Sequence, residues 1–282
     1  MRLFKYLHPD RVDVLAGKTI SFSQPENLND PFEMKPPIDE PDFMAQVNEY
    51  SKVELNKLID QKIRDEFTGQ ELRRLGRDKV AHLRYQFKKQ FISMAKTSLP
   101  KVNEALHGGA QKAIGVLCLS ERQDDILMWA HYTNSHEGYV IEFDPMHSFF
   151  NARRSSNDDL RHLRQIKYAD SRPTLSHKSM ADMAAFLTKS KHWEYEKEWR
   201  MMVAITDSTY TVELPDKTIN LFAFPAEAVK SVTLGCRASS KTVDAIFSAL
   251  DSDSYLSKVP VFRAVADKTQ FRLNILSTDR IS

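Results

Sequence analysis

Two glutamates and an arginine stand at alternate positions in a short segment near residue 200. Glu196, Glu198 and Arg200 lie in the run HWEYEKEWRMMV at residues 192–203. If this segment enters a β-strand, the two-residue period places the three side chains on one face. Charged groups buried on a strand are costly unless they pair or serve a site. The pattern therefore predicts either a structural ion pair with Arg200 or a carboxylate that the arginine holds in a cleft, where it binds hydroxyls or stabilises developing positive charge.

A second group of polar and aromatic residues lies between residues 118 and 144. His131 and His136 stand five residues apart, which is not the i, i+4 spacing of a helical metal pair, and no third ligand stands at a diagnostic distance. The sequence therefore predicts no metal site. Trp129 and Tyr132 are expected either in the core or along the wall of a cleft.

The third group is the polar loop PENLNDPFE at residues 25–33, which leaves a predicted strand. Asn29 and Asp30 can accept hydrogen bonds from backbone N–H groups, and Pro31 disfavours helix at Asp30. One interpretation is a rigid turn. The other places Asn29, Asp30 and Glu33 on the rim of a pocket.

The elements that must position these groups follow from hydrophobic periodicity and turn residues. The segment from 42 to about 106 has helical spacing, whereas strands and shorter helices fill the rest, so we expect an α+β fold. The predicted strands are 3–7, 18–23, 114–120, 138–143, 165–168, 229–234, 259–265 and 271–275; the predicted helices are 124–132, 179–189 and 241–250; and 198–205 with 209–214 is predicted as a hairpin across Asp207-Ser208.

The composition excludes several common classes of enzyme. The chain has 282 residues with only 8 Gly, and it contains no G-x-G-x-x-G, G-x-x-x-x-G-K-[ST] or G-x-S-x-G motif. The usual signatures of Rossmann domains, P-loop NTPases and α/β-hydrolases are therefore missing. No apolar h-region and no membrane-spanning run is found, and the two cysteines form no disulfide pattern, so we expect a cytoplasmic protein that does not contact the membrane.

Positive charge is concentrated in one segment although the formal net charge of the chain is only +2. Residues 52–112 hold 14 Lys and Arg against 7 Asp and Glu. One interpretation is the solvated face of helices. The other is an electrostatic contact with nucleic acid or with an acidic protein.

Taken together, the motifs resemble a bacterial family known as domain of unknown function 2971, or DUF2971. The resemblance rests on F4-K5-Y6, F22-S23, N29-D30-P31-F32-E33, M128-W129-A130-H131-Y132, H136-E137-G138, E142-F143, Y168, the run W193 to R200, and L234-G235. It extends over nearly the whole chain and is loosest between residues 40 and 110. It implies a single domain over residues 1–282 with a mainly helical, basic insertion at about 42–110.

A more distant resemblance is to the ADP-ribosyltransferase superfamily, which implies a small two-sheet core whose cleft binds NAD. Carried over by position, Glu198 is the late-strand glutamate that holds the nicotinamide ribose, with Glu196 as the alternative. Lys5 or Tyr6 stands where that family keeps a His or Arg on its first strand. The remaining residues implied for NAD binding are Ser120, Trp129, His131, Tyr132 and Arg200.

The resemblance implies an enzyme that transfers ADP-ribose from NAD, without a metal, to a nucleic-acid or protein acceptor, as a toxin or phage-defence effector does. Two other classes stay open. One is a non-catalytic module that binds a nucleotide or a nucleic acid through the basic segment. The other is a metal-dependent nuclease or phosphodiesterase, and its candidate residues are Asp30, Glu33, His131, His136 and Glu198.

Overall fold

The structure is a computed structural model, and it describes residues 1–176, 183–215 and 218–278. The chain forms two compact units. The first comprises Met1–Met34, Ala110–Arg172 and Phe186–Ser282, and the second comprises Lys35–Gly109 and Pro173–Ala185. Most of the predicted helical insertion lies in the second unit. The prediction of a single domain stays a prediction.

Helices and strands are both present in the described residues, which confirms the α+β class. The strands are β1 (Leu3–Leu7), β2 (Thr19–Ser21), β3 (Ile114–Ser120), β4 (Tyr139–Phe143), β5 (Leu163–Gln165), β6 (Lys167–Ala169), β7 (Thr188–Ser190), β8 (Glu198–Ala204), β9 (Tyr210–Glu213), β10 (Thr218–Ala223), β11 (Val229–Leu234), β12 (Val261–Ala266) and β13 (Leu273–Ser277). The helices are α1 (Asp13–Gly17), α2 (Glu40–Tyr50), α3 (Asn56–Glu66), α4 (Gly69–Ala113), α5 (Ile126–Tyr132) and α6 (Ser240–Asp251).

The first unit is built around an eight-stranded sheet in the order β13-β12-β11-β4-β1-β3-β8-β5. All neighbouring strands in it are antiparallel except β11 and β12. Alternate residues of β1 belong to different hydrophobic clusters, with Leu3 and Leu7 in one and Phe4 and Tyr6 in the other. Both faces of this central strand are therefore covered, as the period of a buried strand requires.

The large sheet opens between β1 and β3. These strands pair at one position, where Phe4 faces Ser120. Four residues earlier in β3, Val116 instead exchanges two backbone hydrogen bonds with Ser23, at 2.8 and 2.9 Å. Ser23 follows β2, which belongs to a second sheet in the order β2-β10-β9. The divergence leaves a space beside β3 into which Lys5 extends.

Two predicted elements are wrong. Residues 177–182 of the predicted helix 179–189 lie outside the described residues, but Ala184–Leu187 is a short 3₁₀ helix and Lys189 lies in β7. The predicted hairpin does not form, because β8 pairs with β3 and β5 while β9 pairs with β10. The partners of buried β8 are distant in sequence, and a turn signal such as Asp207-Ser208 carries no information about such long-range pairing.

The second unit consists mainly of α2, α3 and α4. Leu55, Ile59 and Ile63 form its small apolar core, against which side chains of the following segment pack, namely Phe67, Leu72, Phe87 and Phe91. Gly76 interrupts α4 with φ 78° and ψ 163°, a conformation that glycine adopts without strain. Among the described residues, no helix is both long enough and apolar enough to cross a membrane.

Candidate functional site

A cavity of about 340 Å³ lies in the first unit where β1 and β3 diverge. Its wall is formed by β1, β3, β7, β8, α5 and the polar loop that contains Asn29. The predicted site residues that line it are Lys5, Tyr6, Asn29, Glu33, Ser120, His131, Tyr132, Glu196, Glu198 and Arg200. The structure therefore brings together residues from all three of the sequence clusters.

Strand pairing places the carboxylate of Glu198 beside the cavity. In the register of β3 and β8, Ser120 faces Glu198 and Cys118 faces Arg200. Glu198 is 3% exposed, and Arg200 is fully buried. Arg200 binds this carboxylate through two hydrogen bonds, one from Nε to Oε1 at 2.6 Å and one from Nη2 to Oε2 at 3.1 Å. Such bidentate pairing holds the carboxylate in one orientation.

Glu196 reaches the same cavity by a route that strand alternation did not predict. It ends a 3₁₀ helix (Lys191–Glu196), and β8 begins only at Glu198. Lys197 between them is left-handed, with φ 45° and ψ 53°. This residue turns the chain so that both glutamates line the cavity. Strand alternation, which the sequence analysis used on the condition that this segment enters a strand, therefore does not apply to Glu196, whereas its proximity to Glu198 is observed.

Lys189 joins these carboxylates, although the sequence analysis did not single it out. Its Nζ donates to Glu196 Oε2 at 2.6 Å and to Glu198 Oε2 at 2.9 Å, and it lies 3.5 Å from Glu33 Oε1. Glu33 also contacts Nη2 of Arg200. Two buried cations and three buried carboxylates thus form one network, in which every ion has a partner of opposite charge.

Two hydroxyl groups hold the other carboxylate oxygen and the backbone carbonyl of Glu196. The hydroxyl of Tyr132 donates to its Oε1 at 2.6 Å. Ser120 Oγ donates to the Glu196 carbonyl oxygen at 2.5 Å and accepts from the backbone N–H of Arg122 at 2.9 Å. Ser120 thus ties the end of β3 to the segment that carries the carboxylates.

The protonation equilibria of the charged groups follow from burial and from their neighbours. Burial raises the pKa of Glu198, and Lys189 opposes this rise while Glu196 adds to it. Burial lowers the pKa of Arg200 to about 9. Although burial opposes a charge on Lys189, the carboxylates of Glu198 and Glu196 raise its pKa above the ordinary value. Burial lowers the pKa of Lys5.

Lys5 is the one cation on the cavity wall for which the described residues supply no carboxylate within 4 Å; the carboxylates of the network bond to Lys189 and Arg200 instead. Its Nζ donates to the backbone carbonyl of Cys118 at 3.2 Å. In the described part of the chain, the buried Nη1 of Arg200 has no hydrogen-bond partner. The donors that remain around the cavity therefore suit a ligand with exposed acceptor oxygens.

Two predicted site residues do not line the cavity. Trp129 is fully buried, donates from Nε1 to the Gln123 carbonyl at 2.8 Å and packs edge-on against Tyr6. It is a core residue. Asp30 is buried and accepts from the backbone N–H of Phe32 at 2.9 Å, as a turn-stabilising aspartate does. Both predictions of ligand contact are therefore corrected to structural roles.

Only three of the five residues of the metal-dependent alternative meet at the cavity. Glu33, His131 and Glu198 line the cavity, but Asp30 does not, and His136 stacks against Trp129 with ring centroids 6.4 Å apart. Among the described residues, no group of three or more His, Cys, Asp or Glu side chains is arranged to hold a metal ion.

Lys189 is missed by the sequence analysis, and Cys118 is included in its second group without being given a role. Lys189 ends the predicted helix 179–189, and a lysine in a short polar segment gives no local sign that it is buried. Cys118 lines the cavity from β3, and burial raises the pKa of its thiol well above the ordinary value. A thiol held in this protonated form is a poor nucleophile.

The fold and the site together define an α+β protein with a buried, charge-paired cavity. Residues 128–201 match the model of a family described as a protein of unknown function, DUF2971. This match confirms the predicted resemblance to that family, and it includes Tyr132, Lys189, Glu196, Glu198 and Arg200. No curated protein and no solved structure matches the chain. The ADP-ribosyltransferase resemblance stays a prediction.

Proposed function

We propose that this protein cleaves the nicotinamide–ribose bond of NAD and transfers ADP-ribose to a macromolecular acceptor. One observation carries the proposal: Glu198 and Glu196 share a cavity with Lys5 of β1, Ser120 of β3 and Tyr132 of α5. These are the positions that the ADP-ribosyltransferase resemblance assigns to NAD binding. A volume of about 340 Å³ lies within the range of small-molecule sites.

The chemistry requires a fixed negative charge, and the charge network supplies one. When the bond between ribose C1′ and the nicotinamide nitrogen breaks, its electron pair leaves with nicotinamide and positive charge develops on the ribose. A carboxylate held in place stabilises that charge, as in the cleavage of glycosides. The acceptor then forms a bond to C1′ with its lone pair and gives its proton to a base. Glu198 is proposed for the first role, and Glu196, which shares Lys189 with it, for the second.

The remaining donors of the cavity fit the rest of this substrate. Lys5 has no carboxylate partner among the described residues, so its ammonium can meet the pyrophosphate of NAD. Tyr132 and His131 lie on α5 at the same wall and can contact the nicotinamide ring.

The test is to mix the full chain with NAD and to measure both binding by calorimetry and release of nicotinamide by chromatography. Wild-type protein is expected to bind NAD and release nicotinamide, and Glu198→Gln to slow the release by about 100-fold. Glu194→Gln is the matched control, because Glu194 is exposed on the same segment and pairs only with Lys197 among the described residues. Absence of both binding and release in the wild type would overturn the proposal, as would equal activity in Glu198→Gln.

One observation favours a second candidate, a nucleotide-binding module without catalysis. Both oxygens of Glu198 already accept hydrogen bonds from Arg200 and Lys189. A carboxylate paired in this way can be part of the cavity wall without taking part in a reaction. Binding of NAD or ADP-ribose by the wild type, with no release of nicotinamide, supports this candidate over the enzyme.

A further inference from the structure

An arginine-lined groove lies in the second unit where Gly76 interrupts α4. It has a volume of about 550 Å³ and is formed by Leu72, Arg73, Gly76, Arg77, Val80, Ala81 and Arg84. Arg73 and Arg77 are four residues apart, and Arg84 follows seven residues later, which is two helical turns. Gly76 has a positive φ of 78°, and the chain on either side of it is helical. The break gives the groove its concave form.

The floor and the walls of this groove differ in chemistry. Leu72 and Val80 are half-buried and, with Ala81, form an apolar floor. The three arginines are exposed and form the walls. An apolar floor edged by guanidinium groups suits a flat, apolar ring that is attached to anions.

Arg84 and Arg73 are partly fixed, and all three arginines keep unused donors. Arg84 Nη2 lies 2.7 Å from Asp60 Oδ1, and Arg73 Nε donates to the Gly69 carbonyl at 3.1 Å. Among the described residues, neither Arg73 nor Arg77 has a carboxylate within 4 Å, although acidic residues stand close in sequence. Glu71 is engaged by Thr68, whose N–H and hydroxyl both donate to its Oε2 at 2.7 Å. An anion can therefore approach Arg73 and Arg77.

We propose that this groove binds single-stranded nucleic acid, with an unstacked base on the Leu72–Val80–Ala81 floor and the flanking phosphates on the arginines. Arginine reads phosphate with paired donors and also stacks on bases, and single-stranded binders combine both contacts. The groove lies in the segment with 14 basic and 7 acidic residues, which adds long-range attraction for a polyanion. An acidic protein offers the charge but not the flat rings that match the floor. The proposal does not depend on the reaction at the other site.

The test uses the full-length protein and fluorescent strands of about 12 nucleotides, oligo-dT and oligo-U, a size matched to single-stranded binding sites. Anisotropy is measured between roughly 50 and 200 mM salt, where phosphate contacts change affinity most visibly. Arg73→Ala/Arg77→Ala removes two groove charges. Lys89→Ala/Lys101→Ala is the matched control, since both lysines are exposed on α4, outside the groove, with no ion pair among the described residues. Circular dichroism checks that each variant folds.

The groove variant is expected to bind the strands at least about tenfold more weakly at low salt. The slope of log affinity against log salt concentration is expected to become less steep by about 1.4, or 0.7 for each lost phosphate contact. The control is expected to lose less than about threefold. Ala81→Glu keeps every arginine and is expected to weaken binding as well, because it places a carboxylate on the floor. A preference for oligo-U or oligo-dT distinguishes RNA from DNA, and either result supports the proposal.

Four outcomes would overturn it. Equal losses in the groove and control variants would mean that the charge of α4 acts without a defined groove. A polyglutamate peptide that binds as tightly as the oligonucleotides would point to an acidic protein partner. Tighter binding of duplex than of single strands, or no binding of any strand at low salt, would exclude the base-on-floor arrangement.

Discussion

The ammonium of Lys189 lies 2.9 Å from Oε2 of Glu198, and both side chains are almost completely buried. The same ammonium lies 2.6 Å from Glu196 Oε2. Buried carboxylates repel one another unless a cation separates them. Lys189 therefore allows two glutamates to stand side by side in one cavity while Arg200 fixes the orientation of Glu198.

On the acid side of the pH–activity profile, the midpoint of the loss of activity is expected to lie above 4.5, the ordinary pKa of a glutamate. Burial raises the pKa of Glu198, and the proposed reaction needs its ionised form. Activity should therefore fall as the pH drops through this raised pKa, before an exposed glutamate would become protonated. The measurement is kcat/KM for nicotinamide release against pH. A midpoint at or below 4.5 would contradict the role of Glu198.

Lys189→Met is expected to move this acid-side midpoint to higher pH. Lys189 opposes the effect of burial on Glu198, so its removal raises the pKa of that carboxyl further. A ¹³C NMR titration of labelled glutamate carboxyls measures the shift without relying on catalysis. Lys189→Arg keeps the positive charge and should therefore keep the pKa of Glu198 close to its wild-type value. Lys191→Met is the control, because Lys191 is exposed and pairs with Asp170. An unchanged Glu198 titration in Lys189→Met would refute the positioning role.

Tyr132→Phe removes the hydroxyl that donates to Glu196 Oε1 at 2.6 Å. The lost hydrogen bond is expected to cost about 1–3 kcal/mol of unfolding free energy, because its acceptor is a buried charge. The transfer step should slow by roughly tenfold if Glu196 is the base. Chemical denaturation and single-turnover transfer measure the two effects. Tyr195→Phe, which changes a half-buried tyrosine on the neighbouring 3₁₀ helix, should change neither by as much.

Gly138→Ala is expected to destabilise the first unit by about 3 kcal/mol, at the upper end for overpacked sites. A Cβ at this position would lie 2.1 Å from the Leu7 carbonyl oxygen, so β1 or β4 must shift. Gly108→Ala is the contrasting variant, because its Cβ meets nothing within 4 Å inside α4 and should stabilise the helix by about 0.5–1 kcal/mol. Urea denaturation measures both. A neutral Gly138→Ala would show that the close approach is not as described.

Much of the fold was readable from local patterns. Alternation and apolar runs predicted β1, β3, β4 and β11 close to their observed bounds, and the change of period predicted the helices of the second unit. The predicted helix 124–132 begins in the structure at Ile126, because Asp125 caps it by accepting from the N–H groups of Leu127 and Met128. Such signals depend only on residues that are close in sequence, so they can be interpreted without knowledge of the fold.

The sequence by itself determined the α+β class, the resemblance to DUF2971, and the three clusters whose carboxylates, arginine and tyrosine meet at the cavity. Only the tertiary structure decided that Lys189 joins Glu196 and Glu198, that Trp129 and Asp30 serve the core and a turn, and that β8 pairs with β3 instead of β9. The physical reason is distance along the chain. Caps, turns and periodicity depend on neighbouring residues, whereas the partner of a buried charge or of a central strand is set by which distant segments exclude water together.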